Sequence, residues 1–316
     1  MIIQLLLLVA GLLLLVKGAG WLVDGATALA KKYNIPDLAI GLTIVAFGTS
    51  APELVVNAFA ASNGFDGIVF GNVIGSNNFN LFVILGISGL IMPLAVHSGT
   101  VWKEIPLSLL AAVLLFLLAG NFSLGAGILS QIDGLILLCF FAAFLYYVYR
   151  QLRTDPANIE IKHKHVAGHI IFFLLVGGLA GLVAGGKFVV DSAVKIASEL
   201  GVEQKIIGLT IVAAGTSLPE LATSVVAALK KNADIAVGNI IGSNIFNIFL
   251  ILAVSSLIRP LNYDPAFNKD LLLLSGGTIF LFIAMFTGKK KQLDRWEAGV
   301  LLLAFAGYIT YMLRTV

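Results

Sequence analysis

The sequence predicts an all-α polytopic membrane protein with ten transmembrane helices, arranged as two inverted five-helix repeats. Three observations support this fold class: an apolar composition, ten apolar segments and a duplicated pair of motifs. Of the 316 residues, 59% are hydrophobic and only 12% are charged, and the mean hydropathy is +1.00. Soluble domains carry about 25% charged residues. A soluble fold would not bury this much apolar surface, so a lipid bilayer is the expected surrounding.

Ten segments are apolar over the roughly 20 residues that a helix needs to cross a bilayer. They are 3–30, 37–61, 67–92, 104–121, 129–149, 168–197, 204–229, 234–258, 270–287 and 296–313. The polar stretch YRQLRTDPANIEIKHKH at 149–165 divides them into five and five. We therefore predict a first repeat at 1–149, a linker at 150–167 and a second repeat at 168–316.

A displacement of 167 residues superposes two motifs of the first half on two of the second. GLTIVAFGTSAPELVVNAFA (41–60) and GLTIVAAGTSLPELATSVVA (208–227) share 13 of 20 residues, and GNVIGSNNFN (71–80) and GNIIGSNIFN (238–247) share 8 of 10. Packing alone would keep hydrophobicity and let identities drift, so these matches indicate a duplication. Because each copy holds an odd number of helices, the second copy enters the membrane from the opposite side, which makes the repeats inverted.

The lysine and arginine residues are distributed unevenly between the loops of the two predicted sides. One side holds thirteen and the other four, the asymmetry expected of a cytoplasmic and an external side. The thirteen are Lys31, Lys32, Lys103, Arg150, Arg153, Lys162, Lys164, Lys230, Lys231, Lys289, Lys290, Lys291 and Arg295. We expect a multi-pass protein of the plasma (inner) membrane, with both termini extracellular or periplasmic and the 150–167 linker in the cytoplasm.

Helices 2 and 7 each carry a glycine and a proline near the middle of an apolar span. Gly48 with Pro52, and Gly215 with Pro219, predict that these helices are broken at mid-membrane, and we expect the same of helices 3 and 8. A break frees backbone carbonyl groups, which cost several kcal/mol each in hydrocarbon unless something satisfies them. A cation is one group that would satisfy them.

Two carboxylates, Glu53 and Glu220, fall beside these expected breaks. A charge at the bilayer centre costs roughly 2.5–3.5 kcal/mol on insertion scales, so it marks a functional site by default. The pseudo-symmetry predicts that the two glutamates converge, and a divalent cation between them would neutralise the pair. Asn72, Ser76 and Asn80 share one helical face because they are spaced four residues apart.

Asn239, Ser243 and Asn247 share the equivalent face of helix 8 and would add further neutral oxygens. A cage of hard oxygens suits Ca²⁺ and also Na⁺, which is of similar size, whereas Mg²⁺ gives up its water reluctantly. These segments contain no cysteine or histidine, which disfavours a soft or imidazole-based metal site.

At these residues the sequence resembles the cation/calcium exchanger family, which includes the sodium/calcium exchangers. The two repeats of that family read G-T-S-x-P-E followed by G-N-x-x-G-S-N-x-x-[ND]. Here they are Gly48–Glu53 with Gly71–Asn80, and Gly215–Glu220 with Gly238–Asn247. The resemblance covers both halves of the chain and implies four ion sites at mid-membrane. It also implies that helices 1 and 6 slide as a gating pair against an eight-helix core.

The same resemblance implies a set of ion ligands, with Glu53 and Glu220 at its centre for both Ca²⁺ and Na⁺. The other implied ligands are the hydroxyl groups of Thr49, Ser50, Ser76, Thr216, Ser217 and Ser243 and the backbone carbonyl groups of Ala46 and Ala213, with Asn80 and Asn247 bordering the middle site. Several family members carry aspartate at the position of Asn247. The amide here lowers the charge of the site by one and argues against potassium dependence.

The sequence therefore predicts a secondary antiporter that exchanges Na⁺ for Ca²⁺ by alternating access, with the bilayer around it. No cofactor, nucleic acid or fixed protein partner is expected. A Ca²⁺/H⁺ antiporter that uses the same glutamates is the alternative, because buried carboxyl groups can carry protons. Inverted repeats with broken helices argue against a channel. An enzyme is disfavoured because the sequence has no paired-histidine zinc motif and offers its serines no nearby base.

Overall fold

The computed structural model describes residues 2–120, 127–154, 166–200 and 213–315, and these residues are almost entirely helical. The helical segments are α1 (Ile2–Tyr33), α2 (Asp37–Ser62), α3 (Asp66–Ile91), α4 (Thr100–Ala119), α5 (Gln131–Thr154), α6 (Gly168–Glu199), α7 (Leu218–Leu229), α8 (Ala233–Ile258), α9 (Asn268–Ala284) and α10 (Arg295–Thr315).

Eight helices in the described part of the chain are long and apolar enough to cross a membrane. The other two are α7, which has 12 residues, and α10, which has 21. Residues 201–212 lie outside the described residues, and 204–212 form the first part of the expected seventh span. The ten-span plan therefore stays a prediction for these two segments.

The helices differ in how much of their surface is covered by protein. In the most apolar window of α8, 83% of the residues are buried, against 22% in α1 and 28% in α6. The exposed surfaces of the outer helices are large apolar side chains such as Ile3, Leu13 and Phe173. The buried positions are mostly hydrophobic but include polar side chains such as Glu53, Asn77 and Glu220, which are thereby kept away from the apolar outer surface.

The outer helices α1 and α6 pack antiparallel against each other through glycines. A methyl group added at Gly18 would lie 2.8 Å from the carbonyl oxygen of Gly178, and one added at Gly11 would lie 2.9 Å from that of Gly185. Only a residue without a side chain fits such close backbones, which is the usual device for tight helix contacts in membranes.

The expected break of helix 2 at Gly48 is wrong, because α2 remains helical through Pro52. The helix instead widens to π winding one turn earlier, at Gly41–Val45. A proline inside a helix removes one backbone hydrogen bond and crowds the carbonyl four residues before it, but the other bonds of α2 keep the segment helical. In the second half, a short helical turn at Ala213–Gly215 is separated from α7 by the turn residues Thr216 and Ser217.

The expected breaks of helices 3 and 8 are also corrected to changes of winding. Segments of π helix run over Phe79–Ile84 in α3 and Asn247–Leu252 in α8, and both helices continue beyond them. A π turn leaves the helix intact while displacing the side chains that follow, and such turns are frequent at functional sites.

Short strands join loops of the two halves. Strand β1 (Leu94–Ala95) pairs antiparallel with β4 (Gln292–Leu293), and β2 (Gly127–Leu129) pairs antiparallel with β3 (Leu261–Tyr263). Helix α5 runs to Thr154 and so takes up the first residues of the expected 150–167 linker. The greater part of that linker, 155–165, lies outside the described residues.

Candidate cation-binding site

The two central carboxylates lie together in the core. Glu53 of α2 and Glu220 of the first turn of α7 are each only 1% exposed, and they are close enough for their charges to repel. Ser50 donates a hydrogen bond of 2.9 Å to Oε1 of Glu220. The hydroxyl groups of Thr216 and Ser217 lie beside Glu53. Among the described residues, however, both oxygens of Glu53 and Oε2 of Glu220 have no hydrogen bond of ordinary geometry.

Serine hydroxyl groups from both halves meet next to these carboxylates. Ser50 Oγ lies 3.0 Å from Ser243 Oγ, and Ser217 Oγ lies 3.0 Å from Ser76 Oγ. The two contacts are equivalent, because a displacement of 167 residues takes Ser50 to Ser217 and Ser76 to Ser243. Each contact joins a first-motif serine of one half to a second-motif serine of the other half. All four serines are buried.

The threonines of the first motif contact asparagines of the second motif in the opposite half. Thr49 Oγ1 donates to Asn239 Oδ1 at 3.1 Å, and Asn72 Nδ2 donates to Thr216 Oγ1 at 3.2 Å. Asn72 and Asn239 were expected to offer oxygens to the cation. Their amide groups instead form hydrogen bonds that tie α3 to the turn before α7, and α8 to α2.

A further pair of buried side chains holds these asparagines in place. Asn57 Nδ2 lies 2.6 Å from Asn72 Oδ1 and 2.7 Å from the carbonyl oxygen of Glu53, and Asn239 Nδ2 lies 2.9 Å from Ser224 Oγ. Asn57 and Ser224 lie 167 residues apart. Neither residue was predicted from the sequence, because an asparagine at one position and a serine at its equivalent are not an identity between the repeats.

The amides of Asn80 and Asn247 lie at the π-helical segments of α3 and α8, and both are 1% exposed. Asn80 Nδ2 donates to Asn244 Oδ1 at 3.0 Å, and Asn247 Nδ2 donates to Asn77 Oδ1 at 2.9 Å. The Oδ1 atoms of Asn80 and Asn247 are buried and accept no hydrogen bond from the described residues. Asn77 and Asn244 were also missed, although they are identical in the two GSN motifs.

The two expected backbone ligands are Ala46 and Ala213. Ala46 is fully buried and follows the π-helical segment of α2, and its carbonyl oxygen lies 3.3 Å from Thr49 Oγ1. Ala213 begins the short turn Ala213–Gly215 that precedes Thr216.

Close packing of α2 on α8 sets the distances in this site. A methyl group added at Gly238 would lie 3.0 Å from the carbonyl oxygen of Leu38, and one added at Gly242 would lie 2.8 Å from Ala46 Cβ. The glycines of the GNIIGSN motif therefore let the hydroxyls of α2 reach the polar side chains of α8.

One end of α1 is tied to the turn between α7 and α8 by polar contacts away from the centre. Lys230 Nζ lies 2.6 Å from Asp24 Oδ1, and Asn232 Nδ2 lies 2.8 Å from Asp37 Oδ2 and 3.3 Å from Thr27 Oγ1. Asp24, which matches Asp191 across the repeat, thus makes an ion pair rather than a contact with the central carboxylates.

The core arrangement is chemically a hard-oxygen site with two charges. Within the described residues no cluster of three or more His, Cys, Asp or Glu side chains exists, so the two glutamates would be completed by neutral oxygens. Buried hydroxyl, amide and carboxylate oxygens suit Ca²⁺ or Na⁺, and the paired negative charges favour a cation over any anion.

Comparisons with known proteins agree with this chemistry. Residues 3–150 and 170–314 match the family model described as Sodium/calcium exchanger protein. The chain is 38% identical over 317 residues to the putative antiporter CaxA of Alkalimonas amylolytica, covering 98% of each chain. It is 30% identical over 348 residues to the sodium/calcium exchanger MaX1 of Methanosarcina acetivorans, again covering 98% of each.

Solved structures of the sodium-calcium exchanger NCX_Mj have the same fold. NCX_Mj soaked with zero Na⁺ and Ca²⁺ gives a TM-score of 0.84 at 32% identity, over 98% of this chain and 99% of that one. NCX_Mj soaked with 2.5 mM Na⁺ and 10 mM Sr²⁺ gives 0.84 at 33% identity, over 98% of both.

Proposed function

Because the chain belongs to the sodium/calcium exchanger protein family, we propose that it exchanges Na⁺ for Ca²⁺ across the membrane by alternating access, with the ions bound between Glu53 and Glu220. Members of this family are multi-pass membrane proteins that transport cations, and the chain is a transporter rather than a catalyst of a chemical reaction. The choice of Na⁺ as the coupling ion, and the glutamates as its ligands, are the parts proposed here.

The observation that carries the proposal is the set of buried carboxylate oxygens without hydrogen-bond donors. Both oxygens of Glu53 and one of Glu220 are of this kind within the described part of the chain. Burying a charge without a partner is costly, and a cation would provide the partner. The remaining ligands in the proposal are the hydroxyls of Thr49, Ser50, Ser76, Thr216, Ser217 and Ser243, the carbonyls of Ala46 and Ala213, and the amide oxygens of Asn80 and Asn247.

The charge of the site supplies a reason for obligatory exchange. An empty site would hold two buried negative charges, which disfavours closing around it. One Ca²⁺ or two Na⁺ neutralise the pair and so permit the change of access. Cation-loaded protein would then move its site across the membrane, whereas empty protein would not.

We also propose ten spans in two inverted repeats, 1–149 and 168–316, with both termini outside and the 150–167 linker in the cytoplasm. The thirteen-to-four distribution of lysine and arginine supports this orientation. The matched hydrogen bonds of Ser50 with Ser243 and of Ser217 with Ser76 support a two-fold relation between the halves.

The proposal is tested by uptake of radioactive calcium into proteoliposomes that are loaded with Na⁺ and diluted into sodium-free buffer. A second set carries only a pH gradient, and a third contains E53Q. We expect uptake driven by Na⁺ alone and lost in E53Q. Uptake driven only by the pH gradient would establish Ca²⁺/H⁺ exchange in its place. Uptake by neither gradient would contradict calcium exchange itself.

A further inference from the structure

Asn77 of α3 and Asn244 of α8 form a reciprocal pair where the two helices meet. Asn77 Nδ2 donates to the backbone carbonyl of Asn244 at 3.2 Å, and Asn244 Nδ2 donates to that of Asn77 at 3.3 Å. Both side chains are buried, at 0% and 3% exposure. A backbone carbonyl only accepts hydrogen bonds, so each amide must turn its NH₂ group toward the other helix. The position of each Oδ1 atom is then fixed on the opposite side.

These fixed oxygens determine the orientation of the next two amides. Oδ1 of Asn244 is the partner of Asn80 Nδ2, and Oδ1 of Asn77 is the partner of Asn247 Nδ2. An amide oxygen also only accepts, so Asn80 and Asn247 must present NH₂ to it. Their own Oδ1 atoms are directed away from the pair, and both are buried without a donor among the described residues.

We infer that Asn77 and Asn244 are positioning residues, which hold the amide oxygens of Asn80 and Asn247 toward the bound cation. The inference rests on the proposed function, since it names what orients two of the proposed ligands. Without the pair, either amide could rotate by half a turn and present NH₂ groups to a positive ion. Because the orientation is set by backbone carbonyls, it exists before the cation arrives. Each positioning residue acts across the two halves, Asn244 on Asn80 and Asn77 on Asn247.

The test is a double-mutant cycle on calcium binding. Ca²⁺ is titrated calorimetrically into the purified, detergent-solubilised wild type, N80A, N244A and N80A/N244A. Residues that orient metal ligands typically contribute about 10–100-fold to affinity. We expect N80A to raise Kd by a factor in this range and N244A by a comparable or smaller one. The double variant should be no weaker than N80A, because Asn244 then has nothing to orient.

A crossed cycle of N244A with N247A is the matched control. Asn247 is held by Asn77, whose NH₂ group donates to the backbone carbonyl of residue 244, and alanine keeps that carbonyl. The factors by which N244A and N247A raise Kd should therefore multiply in the double variant. If the increases in Kd also multiply in the N80A/N244A cycle, the positioning role is overturned, because Asn244 would then contribute to binding independently of Asn80. If N244A does not elute as a monodisperse protein, the equivalent cycle of N77A with N247A tests the same positioning role in the other half.

Failure of the wild type to bind Ca²⁺ in this titration is a separate outcome, which does not depend on the variants. It would overturn the proposed function, and the inference with it. Normal wild-type binding with increases in Kd that multiply in the N80A/N244A cycle would overturn only the positioning role.

Discussion

Glu53 and Glu220 occupy equivalent positions but differ in their hydrogen bonds. Ser50 donates to Glu220, whereas both oxygens of Glu53 lack a bond of ordinary geometry in the described part of the chain. A charge-assisted hydrogen bond satisfies part of a buried carboxylate. In the proposed site, Glu53 would therefore depend more on a bound cation than Glu220 does.

The substitutions E53Q and E220Q should each abolish calcium exchange while the fold is kept. Two unit charges 4 Å apart interact by about 4 kcal/mol at the effective dielectric constant of about 20 that suits buried sites. Loss of one carboxylate should then lower the affinity for a divalent cation by at least about 100-fold. The measurement is initial calcium uptake in proteoliposomes, with E199Q at an exposed position of α6 as the matched control. Full exchange by either central variant would refute a shared site.

The central residues show which part of a site a sequence can reveal. Glu53 and Glu220 stand out because a charge in an apolar span is rare, and the motif serines and threonines lie next to them. Asn72 and Asn239 look like ligands by helical spacing, yet their amide oxygens accept hydrogen bonds from Asn57 and Thr49. Spacing along one helix gives the face but not which group of the opposite helix lies against it.

The contact between α1 and α6 depends on glycines that admit no side chain. A methyl group at Gly178 would lie 2.6 Å from the backbone nitrogen of Leu22, whereas one at the adjacent Gly177 would meet nothing nearer than Trp21 Cε3 at 3.9 Å. The two glycines thus differ in packing although they are neighbours in sequence. If α1 and α6 slide as a gating pair, Gly178 lies at the sliding surface and Gly177 beside it.

We expect G178A to destabilise the protein and slow exchange, and G177A to do neither. Overpacking of a close contact costs typically about 1–3 kcal/mol, and here the methyl group would meet backbone atoms that cannot rotate away. Melting temperature and calcium uptake of the two purified variants provide the measurement. Equal behaviour of the two would mean that the α1–α6 contact is looser during transport than it is in this structure.

Helix boundaries were predicted closely, but helix interiors were not. The apolar segments 37–61 and 234–258 correspond to Asp37–Ser62 and Ala233–Ile258. Gly48 and Pro52 indicated a break in α2, yet the structure has a π-helical segment at Gly41–Val45. Hydropathy marks where a helix enters and leaves the apolar region. The way in which neighbouring helices satisfy displaced backbone groups is a tertiary property that the local sequence does not specify.

At the scale of the molecule, the inverted arrangement predicts that equivalent loops lie on opposite sides of the membrane. Asn63 follows α2 and Lys231 follows α7, and both are exposed. We expect a cysteine at position 63 to react with an impermeant maleimide from outside, and one at 231 only after permeabilisation. Cys139, which is exposed, is first replaced by serine in both proteins. Labelling of both positions from one side would indicate parallel repeats and an additional or missing span.

The charge of the whole transport cycle is the last prediction. Two carboxylates carry two negative charges, so one Ca²⁺ makes the loaded site neutral and three Na⁺ would make it singly positive. Exchange of three Na⁺ for one Ca²⁺ then moves one positive charge in the direction of Na⁺. A membrane potential of 100 mV changes the free energy of that step by about 2.3 kcal/mol.

In sodium-loaded proteoliposomes, Na⁺ leaves as Ca²⁺ enters, so an inside-positive potential should accelerate calcium uptake and increase its extent. An inward potassium gradient with valinomycin sets this potential, and equal potassium on both sides with valinomycin is the control. Uptake that does not respond would indicate two Na⁺ per Ca²⁺. In that case the amide oxygens of Asn80 and Asn247, which add no charge, would serve Ca²⁺ without admitting a third sodium ion.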